Sequence, residues 1–162
     1  MFEEYNDLIG TKEKLLHDAV NLYMDKILRI LILEDVATDA DLIEFELHEA
    51  GIAFTSQRVV TERDYLQSLH DFSPDLILSD YDLPQYTGTL ALDAAKRLCP
   101  EVPFILVTGA VDIYDSIFNE ILVQGAKECV FKNQLELLPS AVRKVLMSHD
   151  GNGNANPGGV IN

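Results

Sequence analysis

The sequence predicts an α/β fold: a doubly wound five-stranded parallel sheet flanked by five helices, with an extra helix at the N-terminus. Three observations predict it. Apolar runs without polar alternation recur at 27–33, 76–79 and 104–107, the mark of strands buried on both faces. Stretches with helical spacing or capping signals separate these runs and two lesser ones at 54–59 and 128–131. The alternation is short and regular, as right-handed crossovers between parallel strands require. At 162 residues the chain has room for one domain with extensions, divided as 1–26, 27–147 and 148–162.

Taken in order, residues 1–26 carry Leu8, Leu15 and Leu22 at heptad-like spacing, with a firm helix expected over Thr11–Met24. It either packs on the domain or pairs with another chain, a homodimer being one outcome. Ile27–Leu33 is the first strand and ends in Glu34-Asp35. Thr38 or Asp39 is expected to cap a helix that Gly51 stops. After the strand Phe54–Val59, Thr61-Glu62-Arg63-Asp64 reads as a capping box opening a helix to about Asp71. Ser73-Pro74 precedes the strand Leu76–Ser79, and Asp82 to Tyr86 reads as a loop. A helix over Gly88–Leu98 ends at Cys99-Pro100, and Phe104–Val107 runs into Thr108-Gly109. A helix from Ile113 to Val123 stops at Gly125, and Glu128–Phe131 ends in Lys132. The last helix is expected over Gln134–Met147, with Pro139 near its start. From Asp150 the Gly- and Asn-rich remainder has nothing to bury and reads as a disordered tail.

Composition narrows the function. The net charge of −15 makes a nucleic-acid backbone an unfavourable partner. No stretch approaches the roughly 20 apolar residues of a membrane span, and residues 1–26 lack the apolar core of a signal peptide. The two cysteines, Cys99 and Cys129, have neither metal-ligand spacing nor a disulfide framework and read as small core residues in a reducing compartment. A cytoplasmic location is expected. Glu34 through Glu49 holds seven carboxylates and no lysine or arginine, either a solvated helix face or a lure for a cation.

The chemistry is concentrated at the strand ends. In an open parallel sheet the crevice outside the carboxyl ends of the strands is where ligands bind. Winding of this kind delivers Glu34-Asp35, Asp80, Thr108 and Lys132 to one edge. A carboxylate ending a buried strand is costly unless its charge is used. Clustered carboxylates repel one another, and Mg²⁺ resolves that, since it prefers a few carboxylates plus phosphate oxygens and water. A hydroxyl and an ammonium nearby complete a pocket for a phosphoryl group, whose charge lies on its peripheral oxygens.

With Pro84 and Gly88 in the loop after Asp80, and Gly109 after Thr108, residues 27–147 resemble the receiver domain of two-component response regulators. The resemblance implies a flavodoxin-like sheet of strand order 2-1-3-4-5. It implies that Asp80 accepts a phosphoryl group from a histidine kinase or histidine phosphotransfer protein. It further implies that Glu34, Asp35 and Asp80 hold Mg²⁺ with the backbone carbonyl of Asp82, that Thr108 binds the phosphoryl group, and that Lys132 pairs with a phosphoryl oxygen or with Asp80. Asp82 and Ala110 occupy places that in this family tune hydrolysis of the aspartyl phosphate. Such a protein is a self-phosphorylating and self-dephosphorylating switch that signals to a downstream protein by contact, and it is not an enzyme acting on a separate metabolite.

Three features depart from that family. The aromatic residue usual three positions before the lysine is Cys129 here, which leaves the readout to the loop after Thr108. The proline that often follows the lysine is Asn133, whose peptide bond is expected to be trans because a non-proline cis bond costs about 2.5–4 kcal/mol. No output domain follows, so the chain is either a stand-alone regulator or part of a hybrid kinase. Two alternatives stand beside the switch. A receiver fold could serve as a phosphorylation-independent docking module, with Cys129 as the supporting feature. Asp80-Tyr81-Asp82 also resembles the nucleophile motif of haloacid-dehalogenase-type phosphatases, although that motif belongs on a first strand and leaves Glu34-Asp35 without a role.

Overall fold

The computed structural model describes residues 7–16, 18, 26–109 and 117–150. Five parallel strands form one sheet: β1 (Leu28–Leu33), β2 (Phe54–Val59), β3 (Leu76–Ser79), β6 (Phe104–Thr108) and β7 (Glu128–Phe131). Their order is β2-β1-β3-β6-β7, with every neighbouring pair parallel. Between β3 and β6 lies a two-residue antiparallel ribbon, β4 (Asp82–Leu83) and β5 (Tyr86–Thr87), where a plain loop was expected. Leaving out that ribbon, the order is the expected 2-1-3-4-5.

The apolar runs are unbroken because each strand serves two cores. Ile30 and Ile32 of β1, with Leu76 and Leu78 of β3, face α1 (Ala37–Glu49) and α5 (Leu138–Asp150). Leu31, Leu33 and Ile77 face α2 (Glu62–Asp71), α3 (Gly88–Leu98) and α4 (Ile117–Gln124). All of these strand side chains are fully buried, and each contributes about 1.5–3 kcal/mol of apolar transfer. β2 lies at the sheet edge and is polar, with Phe54 stacked on His48 and Ser56 Oγ donating to Glu44. A polar edge strand discourages pairing with another chain.

Helix ends follow local chemistry. Gly51 has φ +74°, and the amides of Gly51 and Ile52 donate to His48 and Leu47. That left-handed stop satisfies the carbonyls left over at the end of α1, and Arg143 Nη2 takes the carbonyl of Ala50. Thr61 Oγ1 accepts from the Asp64 amide and caps α2 as expected. Thr87 Oγ1 caps α3 in the same way through Leu90.

Two boundaries differ from expectation. Neither Thr38 nor Asp39 caps α1: the helix begins at Ala37 with Val36 at the cap position and no side-chain cap. The Asp39 carboxylate is engaged with Lys132 instead, and Glu34 Oε1 accepts from the Val36 amide at 3.0 Å. The last helix begins at Leu138, later than Gln134, after a 3₁₀ turn over Lys132–Leu137 that Gln134 interrupts. Pro139 then falls in the first turn of α5, where a missing N–H costs nothing. Among the described residues no peptide bond is cis. Residues 7–16 and 18 are helical, and the rest of the expected Thr11–Met24 helix lies outside the described residues, as do Ile113 and residues 151–162 of the expected tail; its first residues, 148–150, instead extend α5 past Met147. Among the described residues no helix is long and apolar enough to cross a membrane.

Candidate functional site

Parallel winding brings four strand ends to one edge of the sheet. β1 delivers Glu34 and Asp35, β3 delivers Asp80, β6 ends on Thr108, and β7 runs directly into Lys132. The backbone locks these ends together: the Asp80 amide donates to the carbonyl of Leu33 at 2.9 Å, and the Glu34 amide donates to that of Val59. Glu34, Asp80 and Thr108 are buried, Asp35 is half-buried, and Asp82 is exposed.

Lys132 is the hub. Its Nζ donates to Asp80 Oδ2 at 2.9 Å and to Asp39 Oδ2 at 2.7 Å, and lies 2.7 Å from Glu34 Oε2. The contact with Glu34 is a close ion pair, and among the described residues the Lys132 ammonium is the cation at this buried oxygen. Burial lowers the proton affinity of Lys132, but the carboxylates of Asp39, Glu34 and Asp80 outweigh it and push the ammonium's pKa up. Burial pushes the Glu34 carboxyl above the usual carboxylate range, against the opposing pull of Lys132 and the Val36 amide. One ammonium contacts the carboxylates of Glu34, Asp39 and Asp80.

Oxygens of Glu34, Asp35 and Asp80 lie within 4.8 Å of one another, a spacing that could hold a metal ion. Hard carboxylate oxygens suit Mg²⁺, and two of these carboxylates, Glu34 and Asp80, are buried, where their charge calls for a cation. When bound, a divalent cation supplies positive charge to neutralise these carboxylates and an incoming phosphoryl group.

The loop after Asp80 depends on a close approach. A Cβ at Gly88 would lie 2.8 Å from the Asp80 carbonyl and 3.0 Å from Tyr81 Cα, so no other residue fits without moving the backbone. The Gly88 amide donates to Tyr81 O, the Ser79 hydroxyl donates to the Asp80 carbonyl, and the Tyr81 amide donates to Asp80 Oδ1 at 2.6 Å. Asp80 is thus held on both its backbone and its carboxylate. Asp82 opens β4 outside the acidic triad, and Ala110 lies outside the described residues.

Two contributors escaped sequence reasoning. Arg58, on the edge strand, donates from Nε to the carbonyl of Glu34 at 2.9 Å and from Nη2 to that of Asp35 at 2.6 Å. A lone arginine on an edge strand reads as edge protection, so nothing in the sequence marks it. Asp39 carried a signal, since it lies one helical turn after Asp35, but its partner is 93 residues away.

The sequence profile of the response regulator receiver domain matches residues 30–143, and the chain belongs to that family. It is 33% identical over 138 residues to the luminescence regulatory protein LuxO of Vibrio campbellii, covering 80% of this chain and 30% of the relative. The chain therefore spans under a third of that relative's length. A CheY-like receiver domain protein from Methanospirillum hungatei superposes with a TM-score of 0.66 at 27% identity, covering 79% of this chain and all of that one. The receiver domain of a sensor histidine kinase from Pseudomonas aeruginosa, with a magnesium ion coordinated in its active-site cleft, superposes at 0.63 with 21% identity, covering 75% and 99%. Membership of the receiver family leaves the haloacid-dehalogenase reading without support.

At the position three before the lysine, Cys129 is half-buried against the core shared by α2, α3 and α4. Burial, with help from Glu128, pushes its thiol up to about 11. The neighbouring aromatic is Phe131, in register with Thr108 on β6 and stacked on Phe118 of α4 at 6.4 Å.

Proposed function

We propose that this receiver domain is a phosphorylation-controlled switch in two-component signal transduction. The observation that carries the reading is the Asp80 carboxylate, buried at the end of β3, with Lys132 at 2.9 Å and Glu34 and Asp35 beside it. A carboxylate oxygen of Asp80 attacks the phosphorus of a phosphohistidine on a kinase or histidine phosphotransfer protein. The P–O bond forms as the P–N bond breaks, and the departing imidazole takes up a proton. Lys132 balances the charge on a phosphoryl oxygen, and the Thr108 hydroxyl binds another. Glu34, Asp35, Asp80 and the carbonyl of Asp82 would hold Mg²⁺, the ion bound in the Pseudomonas receiver. Hydrolysis later restores Asp80, so the domain is a phosphoacceptor and not an enzyme acting on a separate metabolite.

The switch works by population shift: a phosphoryl group that binds Thr108 and Lys132 better in one conformation favours it, and a downstream protein that prefers that conformation reads it out. We place this protein in the cytoplasm with its kinase. Cys129, in place of the family's usual aromatic, favours a second reading, a docking module that needs no phosphorylation. The test is incubation with acetyl phosphate and Mg²⁺ followed by intact-mass measurement. The switch requires an adduct of one phosphoryl group that is lost on chelation of Mg²⁺ and in Asp80→Asn. No adduct from acetyl phosphate or from any kinase tried would favour the docking module.

A further inference from the structure

Asp39 stands apart from the other carboxylates on Lys132. Glu34 and Asp80 belong to two sets at once: they contact the ammonium, and they belong to the triad with Asp35 that could hold a cation. Glu34 Oε2 and Asp80 Oδ2 touch Lys132 directly. A divalent cation at the triad therefore draws on carboxylates that Lys132 already uses, and the two positive charges repel at short range. Asp39 is outside the triad, yet its Oδ2 lies 2.7 Å from Nζ. Among the described residues it is the one carboxylate in contact with the ammonium that lies outside the triad.

Its placement is fixed by the fold. Asp39 lies in the first turn of α1, next to the buried Ala40 and one turn before the buried Ile43. Lys132 is fixed at the end of β7, at the start of the 3₁₀ turn. Its side chain is 16% exposed and that of Asp39 29%, so the pair is partly withdrawn from water. A lysine ammonium has three donors to satisfy, and losing Asp39 leaves it, among the described residues, the carboxylates of Glu34 and Asp80, which a cation would claim.

We propose that Asp39 is a positioning residue that retains the Lys132 ammonium beside Asp80 while a divalent cation occupies Glu34, Asp35 and Asp80. The inference rests on the switch reading and adds a residue outside the acceptor, metal, hydroxyl and lysine positions of that reading. Without Asp39, Lys132 falls back on Glu34 and Asp80, and the cation has to displace it.

The experiment is calorimetric titration of the full chain with Mg²⁺ alone, in wild type, Asp39→Asn, Lys132→Met and the double variant. Asp39→Asn is expected to weaken Mg²⁺ binding by roughly 5- to 10-fold in the wild-type background and by less than about 2-fold beside Lys132→Met, a coupling that a double-mutant cycle isolates. Should Lys132→Met not fold, Lys132→Gln supplies the background. An unchanged affinity in Asp39→Asn overturns the inference. Equal weakening in both backgrounds also overturns it, because Asp39 would then act on the cation directly. A wild type whose Mg²⁺ binding is absent, or indifferent to Asp35→Asn, overturns the switch reading and this inference with it.

Discussion

Lys132 Nζ lies 2.9 Å from Oδ2 of Asp80, a pairing of residues 52 positions apart that the parallel order β3-β6-β7 brings together. The same ammonium contacts Glu34 and Asp39, so a single positive charge serves two buried carboxylates and one half-buried one.

Replacing Lys132 with Met should therefore destabilise the fold. Removing one partner from a buried ion pair costs roughly 3–5 kcal/mol, and the partial exposure of Lys132 places the cost at or below the low end. Urea unfolding without Mg²⁺ measures it. Added Mg²⁺ should restore part of the loss, since a ligand that binds only the folded state stabilises it. A variant as stable as wild type in metal-free buffer would show that the carboxylates do not depend on the ammonium.

Gly88→Ala introduces a Cβ 2.8 Å from the carbonyl oxygen of Asp80. The atom it meets is backbone, so the loop has to shift. The expected cost is about 1–3 kcal/mol, accompanied by slower phosphorylation because Asp80 moves with its carbonyl. Denaturation midpoints and acetyl phosphate kinetics on the same variant test both effects, and an unchanged midpoint would show that the loop yields freely.

Cys129 should react slowly with thiol reagents near neutral pH. Burial holds its thiol up to about 11, and the thiolate is the reactive form. In a Cys99→Ser background, the modification rate of the native protein should keep rising toward pH 11, whereas the urea-unfolded chain levels off near the ordinary thiol range, about 8.5. The folded-state pKa is raised, so the stabilising contribution is complete below the unfolded value and is lost as pH climbs from there through about 11.

Asp75 clamps the start of β3 to β1. Its carboxylate accepts from the Arg29 amide at 2.9 Å and from Lys26 at 3.1 Å. Burial pushes its proton affinity up, but the Arg29 amide and the Lys26 ammonium outweigh burial and hold the carboxyl below its usual range. Its stabilisation is therefore present above the ordinary Asp range, about 3.9, and is lost as pH falls through the depressed value. Asp75→Asn should cost about 1–2 kcal/mol at pH 7, and the difference from wild type should vanish in acid. A pH-independent difference would assign the effect to packing.

Much of the fold was legible because central parallel strands write both faces into the sequence. Ile30 and Ile32 serve one core, and Leu31 and Leu33 the other. Gly51 and Gly125 both stop helices in left-handed conformations, as glycines after a periodic stretch should. Glu34, Asp35 and Asp80 converge because parallel strands end on one edge. What escaped depended on distance. Asp39 resembles a helix cap until Lys132 is placed beside it, and Arg58 gains its role only when β2 pairs with β1. The β4-β5 ribbon is two residues per strand, too short to leave a period.

The central claim is that Asp80 itself carries the phosphoryl group. The direct measurement is reduction with borohydride after exposure to acetyl phosphate and Mg²⁺, which converts an aspartyl phosphate to homoserine, followed by peptide mass mapping. Homoserine at position 80, and its loss when Mg²⁺ is chelated, is the predicted result. Homoserine at another aspartate, or none in a protein that has bound Mg²⁺, would contradict it.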